Sequence, residues 1–282
     1  MFGSHLSIAG GLHNALLQAE KLDMQTVQVF TKNQQQWKCK PLDAPSVQNW
    51  SAHCARLRFR QTVSHDSYLI NLASPDDRLW RASIALFILE ISRCSELRIP
   101  YLVTHPGAHM GMGEAAGLKR VAAALDQVHA ALPTAKVRTC LEITAGQGSS
   151  LGYRLEHLAT IIEHVRQPRR VAVCLDTAHL FAAGYDFRGR RYSRFRKQLE
   201  SIIGLERVKV LHLNDSKKDL GSRVDRHDHI GHGKIGKEGF IPFVRDDAFF
   251  DIPKILETPK SAHPDGRSWD EVNLQTLRAM LK

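Results

Sequence analysis

The stretch of sequence that decides the fold is VAVCLDTAHLFAAGYD, at residues 171–186. A short run of β-branched and apolar residues ends at Asp176, and an amphipathic segment begins directly after it. This order of strand and helix is the repeating unit of a parallel sheet covered by helices. His179 follows Asp176 by three residues, so a carboxylate and an imidazole stand where the strand gives way to the helix.

The same unit recurs along the whole chain. The predicted strands are residues 2–8, 26–30, 61–65, 101–105, 137–143, 171–177, 208–214 and 252–258. The clearest predicted helices are residues 11–22, 77–98, 115–132, 155–165 and 268–281. Eight repeats without a linker predict one domain over residues 1–282, a closed α/β (β/α)8 TIM barrel with its active site at the C-terminal face of the strands. A doubly wound open sheet is the competing architecture, but the GxGxxG turn that usually follows its first strand is absent.

Composition excludes several classes of protein. With 43% hydrophobic and 24% charged residues, the chain of 282 residues is not collagen-like, disordered or a disulfide scaffold. Lys and Arg number 39 against 29 Asp and Glu, a formal charge of +10. This charge favours an anionic partner such as nucleic acid, although a scattered, solvated basic surface is the alternative.

Cysteine spacing and hydropathy set further expectations. Five cysteines without a CxxC pair predict free thiols. No apolar run reaches the roughly 20 residues of a membrane span, and Met1–His5 lacks the charged and apolar regions of a signal peptide. We therefore expect a cytoplasmic protein without a membrane partner.

Possible metal ligands stand at the ends of six consecutive predicted strands: His65, His105, Glu142, Asp176, His212 and Glu257. Three more follow in loops: His179, Asp225 and His227. Asp225 and His227 are two residues apart, so on an extended segment they point to the same side. A lone histidine at a strand end is usually a hydrogen-bonded core or loop residue. Four converging carboxylates, however, repel one another unless cations neutralise them, which favours metal.

The composition of this set restricts the metal. Imidazoles and carboxylates without thiolate suit Zn, Mn or Fe rather than Ca or Mg. Nine ligands exceed the need of one tetrahedral ion, so two or three ions are expected. Clustered divalent ions hydrolyse phosphate esters. Together with the basic charge, this indicates a phosphodiester of nucleic acid as the substrate.

Nine motifs then carry a resemblance to a known family. They are GSHLSIAGGL (3–12), FTKNQQQW (30–37), HDSYLINLASP (65–75), THPGAHMGMG (104–113), LEITAGQGSSLG (141–152), CLDTAHLFAAGYD (174–186), HLNDSK (212–217), GSRVDRHDHIGHGKIG (221–236) and ILETP (255–259). With these motifs the sequence resembles the endonuclease IV family (AP endonuclease family 2), the metal-dependent apurinic/apyrimidinic endonucleases of base-excision repair. The resemblance covers almost the whole chain.

The resemblance implies a TIM barrel that binds three Zn²⁺ ions, with Mn²⁺ also possible at one site. The implied ligand sets are His65, His105 and Glu142 for the first ion, Glu142, Asp176, His212 and Glu257 for the second, and His179, Asp225 and His227 for the third. The implied enzyme is a phosphoric diester hydrolase, deoxyribonuclease IV (phage-T4-induced type). Metal-activated hydroxide would cut double-stranded DNA 5′ to an abasic site, with Glu142 or Glu257 accepting the proton. The ends would be a 3′-hydroxyl and a 5′ deoxyribose-phosphate.

The resemblance also implies contacts to DNA and shows two departures from the family. Tyr68 and Leu69 match positions that wedge into bent duplex DNA, which is most easily deformed at an unpaired site. Gln35 stands where the family often has arginine, so it is expected to contact DNA without the cationic charge. His232 stands where the family commonly has Glu, close to the implied third ion. We expect it to be a solvated loop residue.

The remaining histidines receive lesser roles. His5 and His109 are expected to orient ligands, whereas five others are expected to be surface or packing residues: His53, His129, His157, His164 and His263. The rival functions are a sugar isomerase or epimerase of the xylose-isomerase-like TIM-barrel group, which needs one or two ions, and a catalytically silent DNA-binding relative. A monomer is expected.

Overall fold

Eight parallel strands form a ring in this protein. The computed structural model describes all residues, Met1–Lys282. The strands are β1 (Phe2–Ser4), β2 (Gln28–Val29), β3 (Val63–His65), β4 (Tyr101–Thr104), β5 (Arg138–Glu142), β6 (Val171–Asp176), β7 (Val208–His212), β8 (Asp215–Ser216), β9 (His227–Asp228) and β10 (Lys254–Leu256). The ring has the order β1-β10-β7-β6-β5-β4-β3-β2. Each of the eight predicted strands contains one of these barrel strands.

The ring closes between its first and last members, β1 and β2. His5 forms an isolated parallel bridge with Gln28, and the Leu6 amide donates to the Gln28 carbonyl at 2.9 Å. The polar side chains of these residues therefore meet inside the barrel just above the closure. The predicted TIM barrel is confirmed.

Helices surround the ring. They are α1 (His13–Lys21), α2 (Ala44–Leu57), α3 (Asp77–Glu96), α4 (Glu114–Ala131), α5 (Leu155–His164), α6 (Thr177–Ala182), α7 (Arg191–Ile202), α8 (Lys237–Arg245) and α9 (Trp269–Ala279). The five predicted helices correspond to α1, α3, α4, α5 and α9, with ends that differ by at most two residues. Asp43, Asp76 and Ser268 accept backbone N–H groups at the starts of α2, α3 and α9, which satisfies donors that a helix leaves free.

Two apolar layers hold the barrel together. A cluster of 59 buried residues fills the space between the ring and the helices. A second cluster fills the inside of the ring and consists of Val63, Val103, Cys140, Ala172, Cys174, Val210 and Ile255. Because these side chains occupy the barrel interior below the strand ends, the polar residues collect above them, at the carboxyl ends of the strands.

A small antiparallel ladder, β8 with β9, lies outside the ring and joins the segments after β7. Asp225 and His227 were expected in a loop, and the structure corrects this for His227, which is the first residue of β9. The ladder pairs Ser216 with His227, so β8 fixes the position of that imidazole.

No helix in the structure combines the length and apolar character that crossing a membrane requires. The five cysteines are free, as predicted.

Candidate metal centre

The six strand-end residues converge at one end of the barrel. His65, Glu142, Asp176 and His212 are the last residues of their strands, and His105 and Glu257 each come one residue after a strand. Parallel strands in a closed ring bring their carboxyl ends together, which is why positions far apart in sequence meet here. The expected location of the site is therefore where the side chains gather.

Glu142 is the centre of the cluster. Its Oε2 lies 3.3 Å from His65 Nε2 and 3.4 Å from His105 Nε2. Its Oε1 lies 3.0 Å from His212 Nδ1 and 3.2 Å from His179 Nδ1. One carboxylate thus faces two separate groups of imidazoles, an arrangement that allows it to bridge two cations.

A second carboxylate group lies on the other side of Glu142. Glu257 Oε2 is 3.0 Å and Asp176 Oδ2 is 3.9 Å from His212 Nδ1. Ligand atoms of Glu142, Asp176, His212 and Glu257 lie close enough together to hold a single ion. The same is true of His65, His105 and Glu142.

A third group forms around His179 and His227. Asp225 Oδ2 is 3.1 Å from His179 Nε2, and its Oδ1 is 3.3 Å from His227 Nε2. Asp176 also approaches this group, with its Oδ2 3.6 Å from His227 Nε2. The set whose ligand atoms all lie within mutual reach here is Asp176, His179 and His227, so Asp176 faces both this group and the second one.

Helix α6 positions His179. The Asp176 side chain accepts the backbone N–H of His179 at 2.8 Å and so caps the helix that carries this histidine. His179 Nδ1 lies 2.9 Å from the Ile143 carbonyl, which fixes the ring and turns Nε2 toward Asp225. His179, three residues after Asp176, therefore lies in the first helical turn after β6, where the sequence predicted it.

Backbone contacts orient two more imidazoles in the same way. His65 Nδ1 lies 3.0 Å from the Asp66 carbonyl, and His227 Nδ1 lies 3.2 Å from the Glu257 carbonyl. In a neutral imidazole, a nitrogen that donates to a carbonyl leaves the other nitrogen with an electron pair for a cation. In both residues that second nitrogen faces carboxylates, as a metal ligand requires.

The electrostatics of the cluster favour added positive charge. Burial opposes ionisation of Glu142, yet His212 and His105 hold its pKa well below the usual range. Burial likewise opposes protonation of His65, but Glu142 raises the pKa of this imidazole to about 9. Excess carboxylate thus draws in protons, and divalent cations can supply the same charge.

Two buried atoms support the metal interpretation directly. His179 Nε2 and His227 Nε2 are buried and make no hydrogen bond of proper geometry. Such atoms are uncommon in folded proteins because leaving them without a hydrogen bond costs free energy.

Cys174 also lies within ligand distance of Glu142 and His212. Burial raises the pKa of its thiol to about 12, so the thiol is protonated at neutral pH and is a poor metal ligand.

Comparison with known proteins places the chain in a family. The family described as "Xylose isomerase-like TIM barrel" matches residues 16–280. A protein of Chloroflexus aggregans named "Probable endonuclease 4" is 48% identical over 282 residues, which cover 100% of this chain and 98% of that protein. The chain belongs to the endonuclease IV family. The family prediction made from the sequence motifs is confirmed, and so is the prediction of an endonuclease.

Solved structures agree with this assignment. Endonuclease IV from Thermus thermophilus is 36% identical, with a TM-score of 0.86 that covers 99% of this chain and 98% of that one. A D-tagatose 3-epimerase-like protein is 17% identical, with a TM-score of 0.75 over 99% of this chain and 96% of that one. The second likeness shows the shared barrel fold alone.

A cavity of about 670 Å³ opens above the metal-competent cluster. A neighbouring cavity of about 520 Å³ lies beside it, and Tyr68 lines both. Tyr68 is 70% exposed, and its ring stands edge-on to Phe30 at 5.6 Å. Leu69 is half-buried and packs on the core, so Tyr68 is the one of this pair that projects over the site.

Residues 31–40 form the loop at the edge of the larger cavity, and we call this segment the rim loop. Asn33 and Gln34 line the cavity, whereas Gln35 is exposed and lies outside its lining. Thr31 Oγ1 donates to Glu90 at 2.9 Å, and Arg93 donates to the carbonyl of Thr31 and, at 3.1 Å, to that of Lys40. Helix α3 therefore holds the rim loop through buried charged residues.

Several histidines lie away from the cluster. His232 is exposed, and its ring packs edge-on against Trp269 at 5.0 Å, in keeping with the expected loop residue. His109 was expected to orient a ligand, but its Nδ1 accepts the Gly113 N–H at 3.2 Å within its own loop. None of the five histidines expected to be surface or packing residues lines either cavity: His53, His129, His157, His164 and His263. His5 does approach the cluster, with its Nδ1 3.3 Å from Glu257 Oε1.

Sequence reasoning missed the buried residues that hold the cluster and the rim loop in place. Gln28, Asn214, Glu90 and Arg93 were not singled out, although all are buried. Asn214 Nδ2 donates to Asp176 at 2.6 Å, and its Oδ1 accepts the Glu257 N–H at 2.7 Å. One signal was available, since Glu90 and Arg93 are charged residues within the apolar stretch ALFILEISRC.

Proposed function

We propose that this protein is a metal-dependent DNA-repair endonuclease that hydrolyses the phosphodiester 5′ to an abasic site in duplex DNA. Its products are a 3′-hydroxyl and a 5′ deoxyribose-phosphate. The observation that carries the proposal is a set of three metal-competent groups, joined through Glu142 and Asp176, on the floor of an open cavity. Membership of the endonuclease IV family supports the same conclusion.

Three Zn²⁺ ions fit the residues present. We assign the first to His65, His105 and Glu142, the second to Glu142, Asp176, His212 and Glu257, and the third to His179, Asp225 and His227. The Nε2 atoms of His179 and His227 both face Asp225 without a hydrogen bond of proper geometry, which supports the third assignment. Zinc held by these residues would lower the pKa of a bound water and would offset negative charge on the attacking and leaving oxygens. Mn²⁺ accepts the same donor types.

Glu257 is the better placed of the two candidate proton acceptors. Its side chain is 17% exposed and lines the cavity, whereas the side chain of Glu142 is 1% exposed and does not. Burial raises the pKa of Glu257, but His212 and His5 outweigh that effect and hold the pKa well below its usual range. Glu257 is therefore an anion within reach of solvent, and Glu142 serves to join the two imidazole groups.

The bond changes balance with these roles. A water oxygen forms a bond to phosphorus, and its proton passes to the Glu257 carboxylate. The bond between phosphorus and the 3′ oxygen of the preceding nucleotide breaks. That oxygen leaves with a proton from solvent, and no redox partner is needed.

Contacts to DNA come from the edge of the cavity. Tyr68, exposed between the two cavities, is placed to enter the gap left by a missing base, and Leu69 supports it from the core side. Gln35, exposed on the rim loop, supplies a neutral hydrogen-bonding group. Every member of the metal-competent set comes from one chain, so we propose that a monomer is sufficient.

The third metal-competent group argues against a sugar isomerase or epimerase, which needs one or two ions. The epimerase-like structures share the fold at 11–17% identity. A silent DNA-binding relative is also disfavoured, because it would have no physical reason to keep four buried or half-buried carboxylates together.

Incision of a labelled duplex with one synthetic abasic site tests the proposal. We expect a cut directly 5′ to the lesion, loss of cutting after chelation, and recovery when Zn²⁺ is added back. Glu257→Gln should lower the rate by about 10²- to 10⁴-fold, because a general base contributes on that order. Glu163→Gln, at an exposed position on α5, is the matched control and should cut normally.

Two results would contradict the proposal. One is undiminished cutting after complete removal of metal. The other is the absence of cutting by a folded, zinc-loaded sample, which would favour a sugar isomerase or epimerase instead.

A further inference from the structure

The end of the barrel opposite the cavity carries a band of unpaired cations, which we call the basic rim. Its members are Arg98, Lys136, Arg138, Arg169, Arg207 and Lys209. None of these six has a carboxylate oxygen within 4.0 Å, whereas many other cations on the surface are paired. Four are exposed, and Arg207 and Lys209 are half-buried.

Strand order brings these residues together. Arg98 precedes β4, Lys136 and Arg138 stand at the start of β5, Arg169 precedes β6, and Arg207 and Lys209 flank the first residue of β7. These four strands are neighbours in the ring and run parallel. Their starts therefore lie side by side, at the end of the barrel away from the metal-competent cluster.

Local contacts join the starts of these strands. Tyr101 pairs with Arg138 across β4 and β5, and Thr139 pairs with Val171 across β5 and β6. The Arg207 guanidinium donates to the Pro168 carbonyl at 3.3 Å, which joins the start of β7 to the turn before β6. A groove of about 570 Å³ opens beside Arg98 and Lys136, between the ends of α3 and α4.

The charge balance along the basic rim is positive. The exposed carboxylates that stand nearest to it in the chain are Glu96, Glu163 and Glu206, and Asp251 stands before β10, the strand beside β7. Six cations without a carboxylate partner outnumber these four. Adjacent strands are about 4.8 Å apart, so four strand starts span roughly 14 Å. Duplex DNA carries about one charge per 1.7 Å of its axis with both strands counted, so this width corresponds to about eight phosphates, of which those on the near side face the protein. Four of the six cations are arginines, whose planar guanidinium suits phosphate.

We propose that the basic rim binds a second segment of duplex DNA while the cavity face holds the first. This inference rests on the proposed function for the identity of the polyanion. A protein with DNA on two opposite faces can pass from one segment to another without first entering solution. The basic rim then serves the search for lesions and takes no part in bond cleavage.

Release of the protein from a labelled duplex, measured against rising concentrations of unlabelled undamaged duplex, tests this. The protein is expected to leave faster in proportion to the competitor, since transfer needs both segments bound. The variant R138E/R169E/K209E should lose that dependence. The control variant K21E/K197E/K282E makes the same change in net charge at exposed cations off the basic rim, and it should behave as the parent protein does.

Two outcomes would overturn the inference. A parent release rate that does not respond to competitor, or a rim variant that responds like the parent, overturns it. Incision of a short abasic duplex under single-turnover conditions should be the same in all three proteins, which also shows that the variants fold. If no protein cuts that duplex, the proposed function fails, whereas the competitor dependence is still measured on undamaged DNA.

Discussion

The side-chain amide of Gln28 donates to Glu257 Oε1 at 2.6 Å, across 229 residues of sequence. The same side chain holds His212, whose Nε2 lies 2.8 Å from Gln28 Oε1. Because an amide oxygen can only accept, His212 Nε2 carries a proton, and Nδ1 is the nitrogen left free to bind a cation among the carboxylates. Gln28 therefore orients two members of the cluster at once, from the point where the barrel closes.

Gln28→Leu should weaken the second metal group. We expect metal affinity to fall by about 10- to 100-fold, which is usual when a partner of a ligand is lost. Chelator competition followed by metal analysis measures this, and the incision rate at limiting Zn²⁺ should fall in parallel. Gln48→Leu, at an exposed position on α2, is the control. Unchanged affinity in Gln28→Leu would show that His212 needs no orientation.

The rim loop should depend on Thr31. Its hydroxyl donates to Glu90 at 2.9 Å and lies 3.3 Å from Arg93 Nε. Thr31→Val leaves these buried charges short of a partner, so the free energy of unfolding should fall by about 1–3 kcal/mol. We expect KM for abasic duplex to rise more than kcat falls, as measured by urea unfolding and steady-state incision. Thr276→Val, which loses only a bond within α9, should alter neither parameter.

Much of this architecture could be predicted because it follows from local pattern. In the sequence, the strand ends were recognised as apolar runs that stop at a histidine or a carboxylate. Closure of the barrel then brings those ends together. Gln28, by contrast, is a polar residue within the predicted strand 26–30, and nothing local shows that it faces inward. The ladder that carries His227 depends on pairing with Ser216, which short-range pattern does not show.

The departure at Gln35 predicts a change in salt dependence. Gln35 is exposed on the rim loop, so an arginine there can reach a phosphate. Gln35→Arg should make the slope of log K against log salt concentration steeper by about one. Fluorescence anisotropy with an abasic duplex at several salt concentrations measures the slope. An identical slope in both proteins would mean that this position does not contact the DNA backbone.

Lys254 should make stability depend on pH. Its side chain is buried at the start of β10, and burial lowers the pKa of this amine to about 8. Since the unfolded chain keeps the ordinary value of 10.5, its lysine binds more protons between these limits, and the contribution of Lys254 to folding stability rises with pH over that window. This difference between the folded and unfolded pKa values corresponds to a total of about 3 kcal/mol.

Urea unfolding at pH 7.5 and again near pH 10 checks this expectation. Lys254→Met should remove this contribution from the difference in unfolding free energy between the two pH values, whereas Lys197→Met, at an exposed position on α7, should keep it. Equal pH dependence in the two variants would refute the assignment to Lys254.

The measurement that bears most directly on the whole account is a zinc titration of metal-free protein, with bound zinc and incision of abasic duplex followed in the same samples. We predict that cutting 5′ to the lesion rises with bound zinc and reaches its maximum at three ions per chain. Full cutting without metal, or three bound ions without cutting, would contradict the account.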